Sequence, residues 1–248
     1  MIIIKTDEEI EGIRKASIIV AEVLEFAREI VAPGIMTKEI DEKIREFIKK
    51  RGGYPAFLGY RGFPASSCIS LNDEVVHGIP GNRRVKEGDL VKVDVGVVYN
   101  GYVGDAAITI IVGEVPQKVR KLVETTERAL YRGIEKAQPG NRLSDISHAI
   151  QETAEKEGFS VVRELGGHGV GLKLHEEPFV PNYGPPGRGP LLKRGMTLAL
   201  EPMVNMGQPH VKTKKDGWTV VTKDGSLSAH FEHTIAILDN GPEILTKI

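Results

Sequence analysis

The sequence predicts an α+β protein in which helices cover one face of a mainly antiparallel sheet. Two amphipathic helical patterns open the chain, β-rich segments follow them, and the same order returns in the second half of the 248 residues. A composition of 40% hydrophobic and 27% charged residues is typical of an ordinary globular protein. The net charge of −1 gives no reason to expect a nucleic acid or an anionic membrane as a partner.

Two helices are predicted at the start of the chain. Thr6 and Glu9 form a capping-box pattern, and apolar residues then recur at helical spacing until Val31-Ala32-Pro33-Gly34 ends the pattern. A second helix is predicted over about 37–50, with its apolar residues on one face and Gly52-Gly53 at its end.

The spacing of these signals recurs later in the chain. An offset of 106 places Pro33-Gly34 on Pro139-Gly140, and an offset of 107 places the strand pattern Gly88–Asp94 on Gly195–Glu201. Chance coincidence of turns and amphipathic helices is the alternative explanation. Two different segments that agree on almost one offset favour an ancient duplication.

A single domain is therefore expected, residues 1–248, made of two related halves at approximately 1–112 and 113–248. The first residues contain an apolar run too short for a signal peptide, and no later run is long enough to span a bilayer. One cysteine, Cys68, excludes an internal disulfide and suits a reducing compartment. A cytoplasmic location is expected.

The first chemical signal is a pair of aspartates in a predicted hairpin. Asn100-Gly101 is a favoured two-residue turn, which would place Asp94 opposite Ala107 and Asp105 diagonal to Asp94 on the same face. Two carboxylates among Val and Ile side chains would repel each other and lose hydration. A positive charge is expected between them, unless one aspartate is simply exposed at a strand end.

The second half supplies matching groups. Glu201 lies in the strand pattern MTLALEPMV, at the position equivalent to Asp94, and Glu232 lies in the strand pattern HFEHTIAIL. His168, between glycines, is the candidate imidazole. Four carboxylates would be neutralised by two divalent cations, and a set with one imidazole suits Mn, Fe, Co or Zn better than calcium.

Two further histidines occupy loops flanked by glycine or acidic residues. They are His77 in VHGIP and His175 in LHEEP, and a loop histidine is often only a surface residue. His175 follows His168 by seven residues, within reach of the same cleft. The other four histidines are expected to be structural or exposed: His148, His210, His230 and His233.

Five segments together resemble the type I methionine aminopeptidases of the pita-bread fold. They are LGYRGFPASSCISLNDEVVHGIP, VKVDVGVVYNGYVGDAA, GGHGVGLKLHEEP, TLALEPMV and DGWTVVTKDGSLSAHFEHTI. The resemblance implies two halves related by a pseudo-twofold axis, with antiparallel sheet backed by helices. It also implies removal of the N-terminal methionine from nascent proteins and peptides whose second residue is small, by a water held between two metals.

The resemblance also assigns roles to individual residues. Two divalent ions, Co, Mn, Fe or Zn, would be held by Asp94, Asp105, His168, Glu201 and Glu232, with Asp105 and Glu232 bridging both. Glu201 would move protons, and His77 and His175 would contact the substrate amide and the developing oxyanion. The methionine pocket would be lined by Phe57, Tyr60, Phe63, Cys68, Leu174 and Trp218, together with His77. Asn72 and Ser228 would belong to a monovalent cation site for Na or K.

Other activities share much of this pattern. Prolidases and Xaa-Pro aminopeptidases have the same five ligands but prefer a proline in the second position, and a non-catalytic pita-bread module that binds peptides would usually lack several ligands. The implied partners are the N-termini of nascent polypeptides, with a transient ribosome contact that no residue in the sequence identifies. Neither specific nucleic-acid binding nor membrane binding is expected, and a monomer is the expected state.

Overall fold

Four α-helices and fifteen short strands form the protein, in a computed structural model that describes residues 1–247. The helices are α1 (Asp7–Ile30), α2 (Thr37–Lys50), α3 (Gln117–Lys136) and α4 (Leu143–Lys156). The strands of the first half are β1 (Tyr54–Pro55), β2 (Cys68–Leu71), β3 (Glu74–Val76), β4 (Leu90–Tyr99) and β5 (Tyr102–Ile111). Those of the second half are β6 (Ser160–Val161), β7 (Gly166–Gly169), β8 (Glu176–Pro181), β9 (Thr197–Leu200), β10 (Met203–Asn205), β11 (Val211–Thr213), β12 (Val220–Thr222), β13 (Ser228–His230), β14 (His233–Leu238) and β15 (Gly241–Ile244).

The first two helices follow the predicted bounds. Thr6 caps α1: its hydroxyl accepts from the Glu9 amide at 3.2 Å and the Glu9 carboxylate accepts from the Thr6 amide at 2.8 Å. The apolar stripe of α1 is buried, and helix α2 buries Ile40, Ile44 and Ile48. Both helix predictions are confirmed, because amphipathic periodicity and local capping are sufficient to define them.

The helix after each Pro-Gly turn has the same start in both halves. Helix α4 begins and ends 106 residues after α2. Glu39 accepts a hydrogen bond from the Met36 amide at 2.7 Å, and Asp145 accepts one from the Arg142 amide at the same distance. The third residue of each helix thus satisfies an amide that the helix leaves without a backbone acceptor.

The strands form four small sheets, and every pairing recorded within residues 1–247 is antiparallel. One sheet contains β4 between β5 and the shorter strands β1 and β2, and the largest has the order β15-β14-β9-β7-β8. The principal buried apolar cluster includes residues from both halves of the chain. These features confirm the α+β prediction.

The β4–β5 hairpin has the predicted register. Asn100 and Gly101 have φ values of 49° and 84°, the left-handed conformation that a tight two-residue turn requires. Asp94 pairs with Ala107, and Asp105 pairs with Gly96. The two aspartates therefore lie diagonally on one face of a continuous ten-residue ladder.

Two strand predictions for the second half are wrong. Glu201 follows the end of β9 and precedes Pro202, instead of lying inside one strand. Glu232 lies between β13 and β14 and forms only an isolated bridge with Ala107. A proline cannot donate to a ladder, so the apolar run around Glu201 is divided into two strands.

Within residues 1–247, none of the helices has the length and apolar character needed to cross a membrane.

Candidate functional site

One cavity brings together the sequence-predicted residues of the divalent metal site, the catalytic group and the methionine pocket. Asn72 and Ser228, predicted for a monovalent cation, are not in its wall. Arg61, which was not predicted, is. The lining residues are Phe57, Tyr60, Arg61, Phe63, Cys68, His77, Asp94, Asp105, His168, Leu174, His175, Glu201, Trp218 and Glu232.

The first carboxylate pair is presented by the β4–β5 hairpin. Asp94 is 8% exposed and Asp105 is 3% exposed, so both carboxyl groups have lost nearly all contact with bulk water. One oxygen of each, Oδ1, is buried and has no hydrogen-bond partner among the described residues. Buried acceptors without partners are rare in folded proteins, because their desolvation is not compensated.

Glu232, one member of the second pair, is attached to the first hairpin through backbone and threonine hydrogen bonds. The Glu232 amide donates to the Ala107 carbonyl at 2.9 Å. The Thr234 hydroxyl donates to the Asp105 carbonyl at 2.7 Å and accepts from the Asp105 amide at 3.0 Å. Thr109 makes the same two bonds with the backbone of His230, at 2.7 and 2.9 Å. These contacts fix Glu232 beside Asp105.

His168 is oriented by its own strand. Its Nδ1 lies 2.9 Å from the Gly169 carbonyl oxygen, which can only accept, so Nδ1 carries the hydrogen and Nε2 presents a lone pair. Nε2 lies 3.7 Å from one oxygen of Asp105 and 3.7 Å from one oxygen of Glu201. A Cβ on Gly169 would lie 2.3 Å from the Glu177 carbonyl oxygen, so only glycine fits beside the neighbouring strand.

His230 is a member of the cluster that the sequence analysis missed. It is 1% exposed, and its Nε2 lies 3.5 Å from an oxygen of Glu201 and 4.0 Å from an oxygen of Glu232. Neither ring nitrogen has a hydrogen-bond partner within the part of the chain that is described. Its position two residues before Glu232 was the available signal, because alternate residues of an extended segment share a face.

The acidic groups of the cluster raise one another's pKa values. Burial raises the pKa of Asp94 to about 7, and the Glu201 charge adds to that rise while His230 opposes it. Burial raises the pKa of Glu201 to about 7, against the effect of His168. The pKa values of Asp105 and Glu232 are raised well above their usual range by burial and by the other carboxylates. The cluster is thus poised to take up positive charge.

This donor set fits divalent metal ions. One atom from each of Asp105, His168 and Glu232 lies within 4.8 Å of the others, and Glu201, His230 and Glu232 form a second such group. Asp94, Asp105 and Glu232 each have a buried oxygen without a hydrogen-bond partner among the described residues. The lone pair of His168 belongs to the same cavity. Carboxylate oxygens with imidazole nitrogen are ligands that first-row transition metals accept.

His175 is an exposed residue of the cavity wall, and the loop that carries it is held by contacts with Tyr60 and Lys5. Its Nδ1 is 3.0 Å from the Tyr60 hydroxyl, and its ring stacks on the Tyr60 ring. The next residue, Glu176, accepts from the amides of Leu172 and Lys173 at 2.7 and 2.9 Å and forms a buried ion pair with Lys5. The loop that carries His175 is therefore anchored on both sides.

Both loop histidines are biased toward the neutral form. Burial lowers the pKa of His77 to about 4, and the charge of His230 acts in the same direction. The pKa of His175 is lowered by desolvation of the ring and by His168 and Arg61, although the residue as a whole is exposed. His77 also has a left-handed backbone, with φ 59°, a conformation uncommon outside glycine and often found at functional sites.

An apolar cup forms the other wall of the cavity. Phe63 meets Trp218 edge to face with ring centroids 5.1 Å apart, and Gly96 leaves space for the ring of Phe57, since a Cβ there would lie 2.7 Å from a ring carbon. The segment before β2 is fixed by Asp41 of α2, which accepts from the Ser67 amide and hydroxyl at 2.7 Å. An aromatic-edged apolar cup is suited to a flexible thioether side chain.

Cys68 completes the cup beside the acidic cluster. It pairs with Asp94 across β2 and β4, and burial and the Asp94 charge raise the pKa of its thiol well above the usual range. The thiol therefore stays protonated and acts as a small apolar surface.

The two residues predicted to hold a monovalent cation lie near each other, behind β4. The carbonyl oxygens of Asn72 and Ser228 both accept hydrogen bonds from the side chain of Lys92, at 2.8 and 3.1 Å. Sequence analysis did not single out Lys92.

The comparisons with known proteins agree over the whole chain. The sequence profile of metallopeptidase family M24 matches residues 11–239. A methionine aminopeptidase from Clostridium perfringens is 56% identical over 248 residues, with 100% of both chains covered.

Solved structures show the same likeness. The crystal structure of a methionine aminopeptidase from Thermotoga maritima has a TM-score of 0.98 and 52% identity, with 100% of both chains covered. A prolidase from Pyrococcus furiosus has a TM-score of 0.82 and 30% identity, and the match covers 99% of this chain and 66% of the prolidase. These likenesses confirm the pita-bread fold.

Proposed function

The chain belongs to metallopeptidase family M24, and on that premise we propose how its cavity performs the reaction of a methionine aminopeptidase. That reaction is hydrolysis of the peptide bond after an N-terminal methionine, by a metal-dependent enzyme. The observation that carries the proposal is the placement of an apolar, aromatic-edged cup directly against a buried acidic cluster. The cup would receive the methionine side chain, and the scissile bond would then lie over the cluster.

Two divalent ions would be held by the five predicted ligands: Asp94, Asp105, His168, Glu201 and Glu232. Bound divalent ions would lower the pKa of an attacking water and would act as Lewis acids toward the lone pair of the substrate's neutral α-amino group. The four positive charges of two divalent ions would balance the four negative charges of the buried carboxylates when these are ionised.

Glu201 is placed to move the proton. It lies at the end of β9, outside the regular ladder, with its side chain 14% exposed on the cavity side. It would accept a proton from the attacking water and transfer it to the nitrogen of the leaving peptide. The 3.5 Å approach of His230 to the other side of the carboxylate would limit its rotation.

His175 is placed to stabilise the oxyanion. If the Tyr60 hydroxyl donates to Nδ1, the hydrogen of the neutral ring is on Nε2 and can be donated to the carbonyl oxygen as negative charge develops. His77, with its ring 6.5 Å from that of Trp218, borders both the cup and the cluster and would contact the substrate amide. Both roles require the neutral imidazole that the lowered pKa values favour.

The direct test compares the hydrolysis of two peptides by the protein loaded with each of four metals in turn. The chain is stripped of metal with a chelator and then titrated with Mn, Fe, Co or Zn while hydrolysis of Met-Ala-Ser and Ala-Pro peptides is followed. We expect cleavage of Met-Ala-Ser only, dependent on added metal, with maximal rate near two ions per chain. Cleavage of Ala-Pro at an equal rate would favour the prolidase alternative, and tight metal binding without hydrolysis would favour a peptide-binding module.

A variant test isolates the oxyanion role. His175→Ala should lower turnover by about 10²–10³-fold with a smaller change in KM, because one oxyanion donor contributes about 2.7–4 kcal/mol to the transition state. Tyr60→Phe is the matched variant, since it removes only the hydroxyl that orients His175 and should have a smaller effect. Unchanged turnover in His175→Ala would exclude this role.

The same reasoning extends to partners and location. The substrates are peptide N-termini, and we propose that nascent chains with a small second residue are the natural ones. The buried, unpaired thiol of Cys68 supports a reducing compartment, which we take to be the cytoplasm. The monomeric state and the transient ribosome contact stay predictions from the sequence.

A further inference from the structure

Lys92 is a buried cation behind the acidic cluster. It is 1% exposed and lies in β4, two residues before Asp94. Its Nζ lies 2.8 Å from the Asn72 carbonyl oxygen and 3.1 Å from the Ser228 carbonyl oxygen. These are the two residues from which the sequence analysis expected a site for Na or K.

We propose that the ammonium group of Lys92 takes the place of a monovalent cation, so that this enzyme needs neither Na nor K. Backbone carbonyl oxygens are ligands for alkali ions and acceptors for an ammonium group, which carries one positive charge, three donors and no acceptor. A covalently attached charge in this space leaves no room for a diffusible one, and the residues present therefore do not fit the expected ion.

The acceptors at this position are already used. The Asn72 carbonyl accepts from Lys92 and also from the Ser228 amide at 3.1 Å, which accounts for both of its lone pairs. The Asn72 side chain is engaged as well: its amide donates to Asp89 at 2.9 Å and its oxygen accepts from the Leu90 amide at 3.0 Å. A metal ion would have to displace these bonds.

Nearby carboxylates favour a positive charge on Lys92. The charges of Glu74, Asp73 and Asp89 each favour the ammonium form of Lys92, and the charge of Arg83 opposes it. Glu74 is itself 2% exposed and paired with Arg83 and Lys214.

The position gives Lys92 a role in holding the site together. It joins β4, which leads to Asp94, to the turn between β2 and β3 and to β13, which leads to Glu232. Strand β3 in turn leads to His77. Lys92 is therefore a positioning residue that connects three segments carrying proposed site residues.

The test measures melting temperature, which does not depend on peptide hydrolysis. The full chain, loaded with Zn²⁺, is melted in tetramethylammonium, sodium and potassium chloride at equal ionic strength. We expect one melting temperature for the wild-type protein in all three salts. Lys92→Ser should melt lower in tetramethylammonium chloride and recover by about 2–4 °C, saturably, in sodium or potassium chloride, as expected for about 1 kcal/mol in a chain of this size.

Lys92→Met is the matched control. It removes the charge but keeps a side chain of similar length, so it should melt lower and not respond to the choice of cation. A folded Lys92→Ser protein with the same melting temperature in all three salts would overturn the proposal.

The wild-type protein provides an independent test if Lys92→Ser does not fold. Specific stabilisation of the wild-type chain by sodium or potassium, or sodium-23 line broadening that excess potassium abolishes, would also overturn the proposal. Neither measurement uses a peptide substrate, so a failure of the proposed activity would not change their outcome.

Discussion

The two carboxylate pairs of the cavity are held by different kinds of backbone. Asp94 and Asp105 lie within an unbroken hairpin ladder, whereas Glu201 and Glu232 lie where strands are interrupted. Backbone pairing between β4 and β5 sets the register of the first pair. In the second pair, Glu232 also depends on contacts with the first hairpin, through the Glu232–Ala107 bridge and the hydroxyl of Thr234.

Because of this difference, the first pair is held on a more rigid backbone, and the second pair contains the carboxylate that is most accessible from the cavity. The backbone of a residue in a continuous ladder cannot shift without breaking paired hydrogen bonds, which suits the position of a fixed ligand. A carboxylate at a strand end is free of that constraint and, in the case of Glu201, is also the most exposed of the four. We therefore expect substitutions in the two pairs to have different consequences.

The largest effects are expected at Glu201 and Asp94, which occupy equivalent positions in the two halves of the chain. Glu201→Gln should lower turnover by on the order of 10³-fold or more, within or near the range for loss of a general base, while the chain stays folded. Asp94→Asn should lower activity mainly by weakening metal retention, since it removes a fixed ligand. Rates on Met-Ala-Ser and metal content after dialysis check this, with exposed Glu164→Gln as control; near wild-type turnover in Glu201→Gln would remove its assigned role.

A smaller effect is expected from cutting the connection between the pairs. Thr234→Val leaves the buried amide and carbonyl of Asp105 without their side-chain partner, which should cost about 1–3 kcal/mol of unfolding free energy. Thr109→Val is the matched change at the His230 contact, farther from Asp105. Urea unfolding and metal affinity measure both. Unchanged metal affinity in Thr234→Val would show that the proposed anchoring of Glu232 is wrong.

Metal affinity should depend on pH in one direction. The raised pKa values mean that Asp94 and Glu201, near 7, hold protons in the metal-free protein as the pH falls below neutrality. Those protons must leave before a metal binds. As the pH is lowered below 7, metal affinity should therefore fall by about tenfold per pH unit for each proton that binding releases. Calorimetry in buffers of different ionisation enthalpy measures the release, and affinity that rises between pH 7 and pH 6 would contradict this charge assignment.

The smallest effect is expected at His230, whose Nε2 lies nearest to Glu201 of the second pair. His230→Gln keeps a polar side chain beside Glu201 and should change kcat/KM by less than tenfold. His230→Ala removes the polar side chain and should lower metal affinity by about 10–100-fold, the range for groups that support a ligand. Equal and negligible effects of both variants would show that His230 only fills space.

Much of the first half could be predicted because its signals are local. The capping box at Thr6, the stripe of α1 and the turn at Asn100-Gly101 each depend on residues close in sequence, and each was predicted correctly. The hairpin register follows from the turn alone. That is why the relation between Asp94 and Asp105 was accessible before the structure.

The remainder depends on contacts between distant segments. Glu201 and Glu232 were assigned to strands because apolar runs do not reveal where a ladder is broken by Pro202 or by a crossing segment. The contact between Thr234 and Asp105 joins residues 129 positions apart. Lys92 contacts Ser228, 136 positions away, and Asn72, 20 positions away. Periodicity contains no information about such pairs.

The buried ion pair between Lys5 and Glu176 joins two segments that are far apart in the sequence, so the loop that carries His175 gains this anchor only when both segments are present. A growing chain contains Lys5 and the first hairpin long before it contains Glu176 and Glu232, so a partial product has neither the anchored loop nor the full acidic set. Assembly of the proposed site therefore has to follow synthesis of the first half and cannot accompany it. Substitution of Lys5 in the full chain would leave the acidic set intact but would remove one anchor of the loop that carries His175.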